Sequence, residues 1–348
     1  MPFALRMAMD NSKHFKKGLE MKNSKAIKIF NAASELLETN AALRGDKVAI
    51  FCGDERVTYK ALQENVNRFA NVLKALGVKP TERVMIALPD TPTFVYAFLG
   101  SIKFGAWPVA VNTMLQEKDY EYMLDNSDAR VLVTVHDSKA AEAKATQFCY
   151  KLLAGHGLES LMESASHEAD AYPAQKEDIA FWLYSSGSTG RPKGVPHRHI
   201  DMIHSADNYG KKVLGITESD TCYSVSKLFF AYGLGNGLHI PFRHGASTVL
   251  LASPPSPESV METVAVFKPT IFFGVPTQYN SVLKRMDAEG ATAFNSVRIC
   301  ASAGEALPPE IFRKWKEGTG LEILDGIGST EALHIFISNI PGDVKPGT

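Results

Sequence analysis

Ser185-Ser186-Gly187-Ser188-Thr189-Gly190-Arg191-Pro192-Lys193-Gly194 directly follows the apolar run Ile179-Ala180-Phe181-Trp182-Leu183-Tyr184. The run reads as a buried strand. The ten residues after it hold three glycines, four hydroxyl side chains and two cations. Glycine tolerates φ > 0 and lets backbone approach a ligand closely. Successive N–H groups in such a loop form an anion-binding nest. Hydroxyls donate to phosphate oxygens, and Arg191 and Lys193 add charge. The stretch therefore predicts a polyphosphate loop at a strand end. It is not a Walker loop, because Pro192 interrupts it and no hydroxyl follows Lys193. A flexible linker is the plain alternative. A Pro-Lys-Gly segment abutting a strand with Trp182 and Tyr184 argues against that.

Outward from this loop the chain alternates helix and strand. Ile27, Phe30 and Leu37 mark an amphipathic helix, and Val48–Phe51 a strand. Thr58 caps a helix whose apolar face carries Leu62, Val66, Phe69, Leu73 and Leu76, and Gly77 stops it. Further strands are expected at Arg83–Leu88, Trp107–Val111 and Arg130–Val135. Helices are expected from Thr91-Pro92 and around Lys118–Leu124. Beyond the loop, strands are expected at Thr221–Val225, Ser247–Leu251, Thr270–Phe273, Val297–Ala301 and Leu321–Leu324. Helices are expected near Pro257–Phe267, Thr277–Met286 and Pro309–Glu317. This order predicts an α/β fold with mainly parallel sheets covered by helices. The division it suggests has four parts: a disordered leader over 1–24; a first αβ subdomain over 25–178, ending in a helical connector over 138–178; a second αβ subdomain over 179–348; and a missing C-terminal lid domain.

The bulk properties exclude several classes. Of 348 residues 45% are apolar, so the chain can bury a large core, and the formal net charge of −1 leaves no footprint for nucleic acid or an anionic membrane. No uninterrupted apolar run reaches the ~18 residues a membrane span needs. Cys52, Cys149, Cys222 and Cys300 are scattered, which argues for a reducing, cytoplasmic setting and against a disulfide framework or a zinc site. His197 and His199 read as local structure. The basic leader lacks the apolar core of a secretory signal.

In open α/β sheets, ligands bind beyond the carboxyl ends of the strands. Glycine-containing loops follow four of the expected strands: Ser185–Gly194, Gly274-Val275-Pro276, Ser302–Glu305 and Asp325–Glu331. Together they suggest one composite site. In Gly326-Ile327-Gly328-Ser329-Thr330-Glu331 the carboxylate suits Mg²⁺ and Thr330 suits a phosphate, while a capped helix start is an equal reading. In Ala303-Gly304-Glu305 the glycine leaves room for a planar base, with Asp325 accepting from its exocyclic amine; a tight strand-to-helix turn is the alternative. Lys227–Asn236 (KLFFAYGLGN) interleaves aromatics with glycine after a strand and reads as core packing, the default for Phe229.

These segments, with GVPTQY at 274–279, ICASAGEALP at 299–308 and DGIGSTEALHIFISN at 325–339, resemble the acyl-adenylate-forming superfamily. That superfamily includes acyl- and aryl-CoA synthetases, peptide-synthetase adenylation domains and beetle luciferases. The benzoate-CoA ligase branch is the most similar, from about Lys25 to Thr348.

The resemblance implies ATP-dependent activation of a small aromatic carboxylate, then transfer to coenzyme A. It implies ATP contacts from Ser185, Ser186, Gly187, Ser188, Thr189, Gly190 and Lys193. On the adenine side it implies Ala303, Gly304, Glu305, Asp325, Gly326, Ile327, Gly328, Ser329 and Thr330. Lys193, Thr330 and Glu331 take the catalytic roles, with Mg²⁺ on Glu331. Phe230, Ala231, Tyr232, Gly328, His334 and Ile335 line the acid's slot, and Gly274–Pro276 flank the thiol's path. Ile327 departs from the tyrosine usual at that position. Relatives continue into a lid domain with a catalytic lysine, so this chain alone is expected to be weakly active or inactive. Two other readings are a non-catalytic ATP- and aryl-acid-binding module and a different adenylating enzyme. A homodimer is left open.

Overall fold

The computed structural model describes residues 29–144, 150–186, 190–286 and 292–347. The expected leader, Cys149 and Gly187-Ser188-Thr189 lie outside them. The first helix, α1 (Ala32–Arg44), is capped by Asn31, whose side chain accepts from the Ala33 N–H. Strands β1 (Val48–Cys52) and β2 (Glu55–Thr58) form a hairpin leading into α2 (Tyr59–Ala75). Thr58 caps α2 by accepting from the Ala61 N–H at 3.2 Å. After β3 (Arg83–Ala87), α3 (Pro92–Phe104) starts on proline and ends at Gly105 with φ +92°. A Cβ at Gly105 would lie 2.4 Å from the Tyr172 ring, so this left-handed stop admits only glycine.

β3 belongs to a six-stranded sheet with β4 (Trp107–Ala110), β5 (Ala129–Val135), β6 (Tyr150–Ala154), β7 (Ile179–Ser185) and β8 (Lys193–Arg198). Its order is β6-β5-β3-β4-β7-β8. All neighbours are parallel except β7 and β8. The second sheet adds β9 (Thr221–Ser224), β10 (Ser247–Val249), β11 (Ile271–Gly274), β12 (Ile299–Ser302), β13 (Ile323–Gly328) and β14 (Ile335–Ser338) to β1 and β2. Its order is β14-β13-β12-β11-β9-β10-β1-β2, antiparallel only at its two edges.

The layers follow from the two-sided apolarity of the strands. In β3, Val84 and Ile86 face the central core while Met85 and Ala87 face the outer one. The central core joins α1, α2 and α3 to both sheets. Outside the six-stranded sheet lies α4 (Glu117–Ser127). Outside the eight-stranded sheet lie the helices Pro257–Phe267, Pro276–Leu283 and Pro309–Thr319, the last carrying Trp315, packed on Tyr223 and Phe272. The result is five layers, helix–sheet–helix–sheet–helix, with parallel pairing dominant as the sequence predicts.

Three features differ from the sequence reading. The segment 138–178 is not a purely helical connector. It contains β6, which pairs parallel to β5, and only short helices at Lys139–Glu142 and Leu158–Ser164. Leu152 alone of the β6 residues is buried, so the strand's apolar signal was too short to see. The edge strands β2, β8 and β14 were also missed, because their pairing depends on tertiary neighbours more than on propensity. Finally, the division at 178/179 falls inside the six-stranded sheet. β7 and β8 extend that sheet, while β1 and β2 cross to the other.

Candidate active site

The phosphate-type loop hangs from an antiparallel hairpin and not from a strand-to-helix turn. Ser185 lies directly opposite Lys193 across β7 and β8, and Tyr184 opposite Gly194. Helix α4 braces the base of the loop. The Tyr122 hydroxyl donates to the Pro192 carbonyl at 3.1 Å, and the Arg191 guanidinium lies 5.4 Å from the Tyr122 ring centre. Tyr184 Oη donates to Asn126 Oδ1 at 2.8 Å. Ser186, Gly190 and Lys193 are exposed, and Gly190 has φ +85°. Among the described residues Lys193 has no carboxylate partner, so its charge faces solvent on a braced strand end.

The Gly326–Glu331 segment is not a helix start. Gly326, Ile327 and Gly328 lie in β13, paired with β14, and the turn between the two strands carries the remaining residues. Ser329 Oγ accepts from the Ala332 N–H at 3.1 Å, and the Leu333 N–H donates to the Thr330 carbonyl at 3.0 Å. Leu333 holds φ +67°, a strained value for a side chain branched at Cγ. Glu331 points into solvent. Its own backbone N–H holds its carboxyl below the usual range, helped by the Ser329 and Ser185 hydroxyls and by His197. The turn of one sheet thus lies beside β8 of the other, with His197, Arg198 and Glu331 lining one cleft.

His197 sits at the same junction, a site neighbour that the sequence reading had assigned to local structure. It is buried and stacked on Phe181 at 4.9 Å, beside the Thr330 backbone, with Nδ1 3.9 Å from Asp201. Burial lowers its pKa, opposed by Asp201 and Glu331. His199 is structural, its Nδ1 accepting from the Ala32 N–H at 3.0 Å. A cleft of about 790 Å³ opens beside this junction, lined by His197, Asp201, Tyr209, Glu331, Ile335 and Phe336 among others.

On the base side, Ala303 is buried while Gly304 and Glu305 are exposed. Gly304 has φ +95° with open space around it. Asp325 pairs in register with Ser302. One carboxylate oxygen of Asp325 accepts from the Leu307 N–H at 3.0 Å, which fixes the loop; the other, Oδ1, is buried. Burial raises the Asp325 pKa. Hydrogen bonds from the Leu307 and Gly326 backbone and from the Ser302 side chain oppose that rise. Ile327 is 59% exposed, presenting an aliphatic surface beside that position.

The expected slot residues fall into two groups. Phe230 is exposed and lies against Phe229 at 4.7 Å. It lines a cleft of about 140 Å³ with Ser185, Ser186, Tyr184 and Asn112, so it adjoins the phosphate loop. Ala231 and Tyr232 open the short helix Ala231–Leu234. The Tyr232 ring lies 5.5 Å from His334 and 6.3 Å from Phe273. His334 is buried, hydrogen-bonded through Nε2 to Asn236 Oδ1 at 2.9 Å. Burial pushes its pKa down to about 3, so the ring is neutral. Ile335 is buried beneath it, and a Cβ at Gly328 would come 2.7 Å from the His334 carbonyl oxygen.

Asn236, Tyr209 and His239 complete this inner cluster and were not singled out from the sequence. They stand on two π-helical turns, Ala206–Lys211 and Gly235–His239. Such turns often mark functional positions, but they leave no periodic signal.

The AMP-binding enzyme family profile matches residues 37–348. The chain belongs to the AMP-binding enzyme family. Among curated relatives, a benzoate--CoA ligase of Thauera aromatica is 45% identical over 93% of this chain and 64% of its own length. A 4-hydroxybenzoate--CoA/benzoate--CoA ligase of Rhodopseudomonas palustris is 36% identical over 92% of this chain and 61% of its own. The chain therefore spans somewhat under two thirds of the length of these relatives.

A benzoate CoA ligase structure from Burkholderia xenovorans LB400 superposes with a TM-score of 0.85 at 40% identity, covering 92% of this chain and 65% of that one. An anthranilate CoA ligase in complex with anthranoyl-AMP superposes at 0.86 and 38% identity, covering 92% and 63%. The five-layer αβ architecture is thus that of AMP-binding enzymes.

Proposed function

We propose that the protein serves the ATP-dependent activation of an aromatic carboxylate of the benzoate class, followed by transfer to coenzyme A. In the first step a carboxylate oxygen attacks the α-phosphorus of ATP. Pyrophosphate leaves and an aryl-AMP anhydride remains. In the second step the CoA thiol attacks the anhydride carbonyl, loses its proton and releases AMP. The observation that carries this reading is the junction of the β7–β8 loop base with the Thr330–Glu331 turn, flanked by Phe230 on one side and Asp325 on the other.

Two anions meet in the first step, so stabilisation must come from preorganised donors and cations. Lys193, Ser185 and Ser186 serve the phosphates, together with Gly187, Ser188, Thr189 and Gly190. Thr330 donates at the α-phosphate. The Asp325 carboxylate accepts from the adenine amine over Gly304, with Ala303, Glu305, Gly326, Ile327, Gly328 and Ser329 around the nucleotide.

The described residues hold no group of three or more His, Cys, Asp or Glu able to bind a metal by themselves. An ionised, exposed Glu331 suits Mg²⁺, which binds through one or two carboxylates plus phosphate oxygens and would supply charge neutralisation. Phe230, Ala231, Tyr232, Gly328, His334 and Ile335 hold the aromatic ring. Gly274–Pro276 flank the thiol's approach. Free Cys52, Cys222 and Cys300 fit a reducing cytoplasmic setting.

The test is AMP release by the complete protein from ATP and CoA with benzoate, hydroxybenzoates and aminobenzoates. Acid-dependent AMP release supports the reading. Binding of ATP and benzoate without turnover supports a binding module, and indifference to every aryl acid overturns the substrate class.

A further inference from the structure

The segment that presents Phe230 and Tyr232 is held by a contact between the two sheets. Asp90, in the turn between β3 and α3, belongs to the six-stranded side. It is 3% exposed, yet it carries a carboxylate. Its Oδ1 accepts from the Leu228 N–H at 3.0 Å, and its Oδ2 lies 3.9 Å from Lys227 Nζ. Lys227 and Leu228 follow β9 of the eight-stranded sheet. The Lys227 ammonium also donates to the Leu251 and Ser253 carbonyls, the latter at 2.7 Å. Cys52, on β1, adds a weak contact from Sγ to the Asp90 carbonyl at 3.9 Å.

A buried carboxylate of this kind needs a role, because it is retained against its desolvation cost. Here it accepts an N–H that opens the loop and faces a cation that gathers two further carbonyls. Leu228 and Phe229 are packed in the central core immediately afterwards, and Phe230, Ala231 and Tyr232 follow. The bend at Gly233 is equally constrained, since a Cβ there would lie 2.0 Å from the Lys227 carbonyl oxygen. The path of residues 227–233 is therefore fixed at its start by Asp90. Neither Asp90 nor Lys227 lines the phosphate loop, the Gly304 turn or the Glu331 turn.

We propose that Asp90 and Lys227 form a cross-sheet latch that positions the Leu228–Tyr232 segment and thereby sets affinity for the aryl acid but not for the nucleotide. Both are positioning residues and neither touches a reacting atom. The assignment of an aryl ring to Phe230 and Tyr232 rests on the proposed function; the latch itself rests on the contacts alone.

The test compares Asp90→Ala, Asp90→Asn and Lys227→Met in the full chain. It uses hydrogen exchange of the Leu228–Tyr232 amides and calorimetric titration with benzoate and with ATP. Losing a hydrogen bond to a buried charged acceptor predicts exchange at Leu228 and benzoate dissociation each faster or weaker by about 10-fold in Asp90→Ala, with ATP affinity within about twofold. Asp90→Asn, whose amide oxygen still accepts, should restore Leu228 protection. If Asp90→Ala does not fold, Lys227→Met should show the benzoate-selective loss by itself. Unchanged exchange at Leu228, or equal losses for ATP and benzoate, would overturn the latch. If the wild-type chain binds no benzoate at all, the aryl-acid reading falls while the exchange comparison still judges the latch.

Discussion

The rim of the candidate site and its inner end are built on opposite principles. Lys193, Gly304, Glu305 and Glu331 stand at strand ends in solvent. His334, Asn236 and Asp90 are buried, and they are held by one another or by backbone. The rim can change charge with little effect on the fold, while the inner end cannot be altered without disturbing packing. This difference suits a site whose outer half meets a polyanion and whose inner half must hold a neutral ring.

The largest expected effect lies at the rim. Glu331→Gln in the complete protein should lower the proposed aryl-acid adenylation by ~10²-fold or more, the range seen when a preorganised charge stabiliser is removed. Its melting temperature should stay near wild type, since the side chain is exposed. Unchanged turnover would remove Glu331 from the metal role.

The inner end should answer in the reverse sense. A Cβ at Gly235 would come 2.2 Å from His334 Cδ2. Gly235→Ala should therefore destabilise by about 1–3 kcal/mol through overpacking. Thermal unfolding would detect this as a drop of several degrees, and an unshifted transition would show that the cluster is softer than its contacts suggest.

A smaller and pH-dependent effect separates the two ends further. His334 titrates near 6.5 when unfolded and is pushed down to about 3 by burial in the fold. Its unprotonated form therefore contributes stability that is present above pH 6.5 and is lost as pH falls toward 3. The stability gap between wild type and His334→Gln should narrow across that window. A gap independent of pH would mean that His334 does not resist protonation. Smallest of all, Lys193→Met should change stability by no more than about 0.5 kcal/mol, as surface substitutions do, while weakening ATP binding.

The sequence made these two ends unequally legible. Ser185–Gly194, Gly304 and Thr330-Glu331 are short runs of glycine, hydroxyl and charge whose chemistry is local, so they could be read directly. The parallel strands were equally plain, because residues such as Val84–Ile86 and Phe272–Phe273 are apolar on both faces. What escaped depends on distant partners. β8 and β14 are strands only because β7 and β13 lie beside them. Asn236 faces His334 across 98 positions of chain. Asp90 meets Leu228 across 138. His197 was read as local structure because nothing in its neighbourhood announces Thr330. Ser329-Thr330-Glu331 also fits a helix start on composition alone; pairing with β14 makes it a hairpin turn.

The most direct test of the composite site is a crystal structure of this chain with a non-hydrolysable benzoyl-AMP mimic. The phosphate mimic is expected between the Ser185–Lys193 hairpin and Thr330–Glu331, adenine over Gly304 with its amine on the Asp325 carboxylate, and the ring against Phe230 and Tyr232. A mimic bound with its ring away from the Leu228–Tyr232 segment, or its adenine away from Asp325, would contradict it.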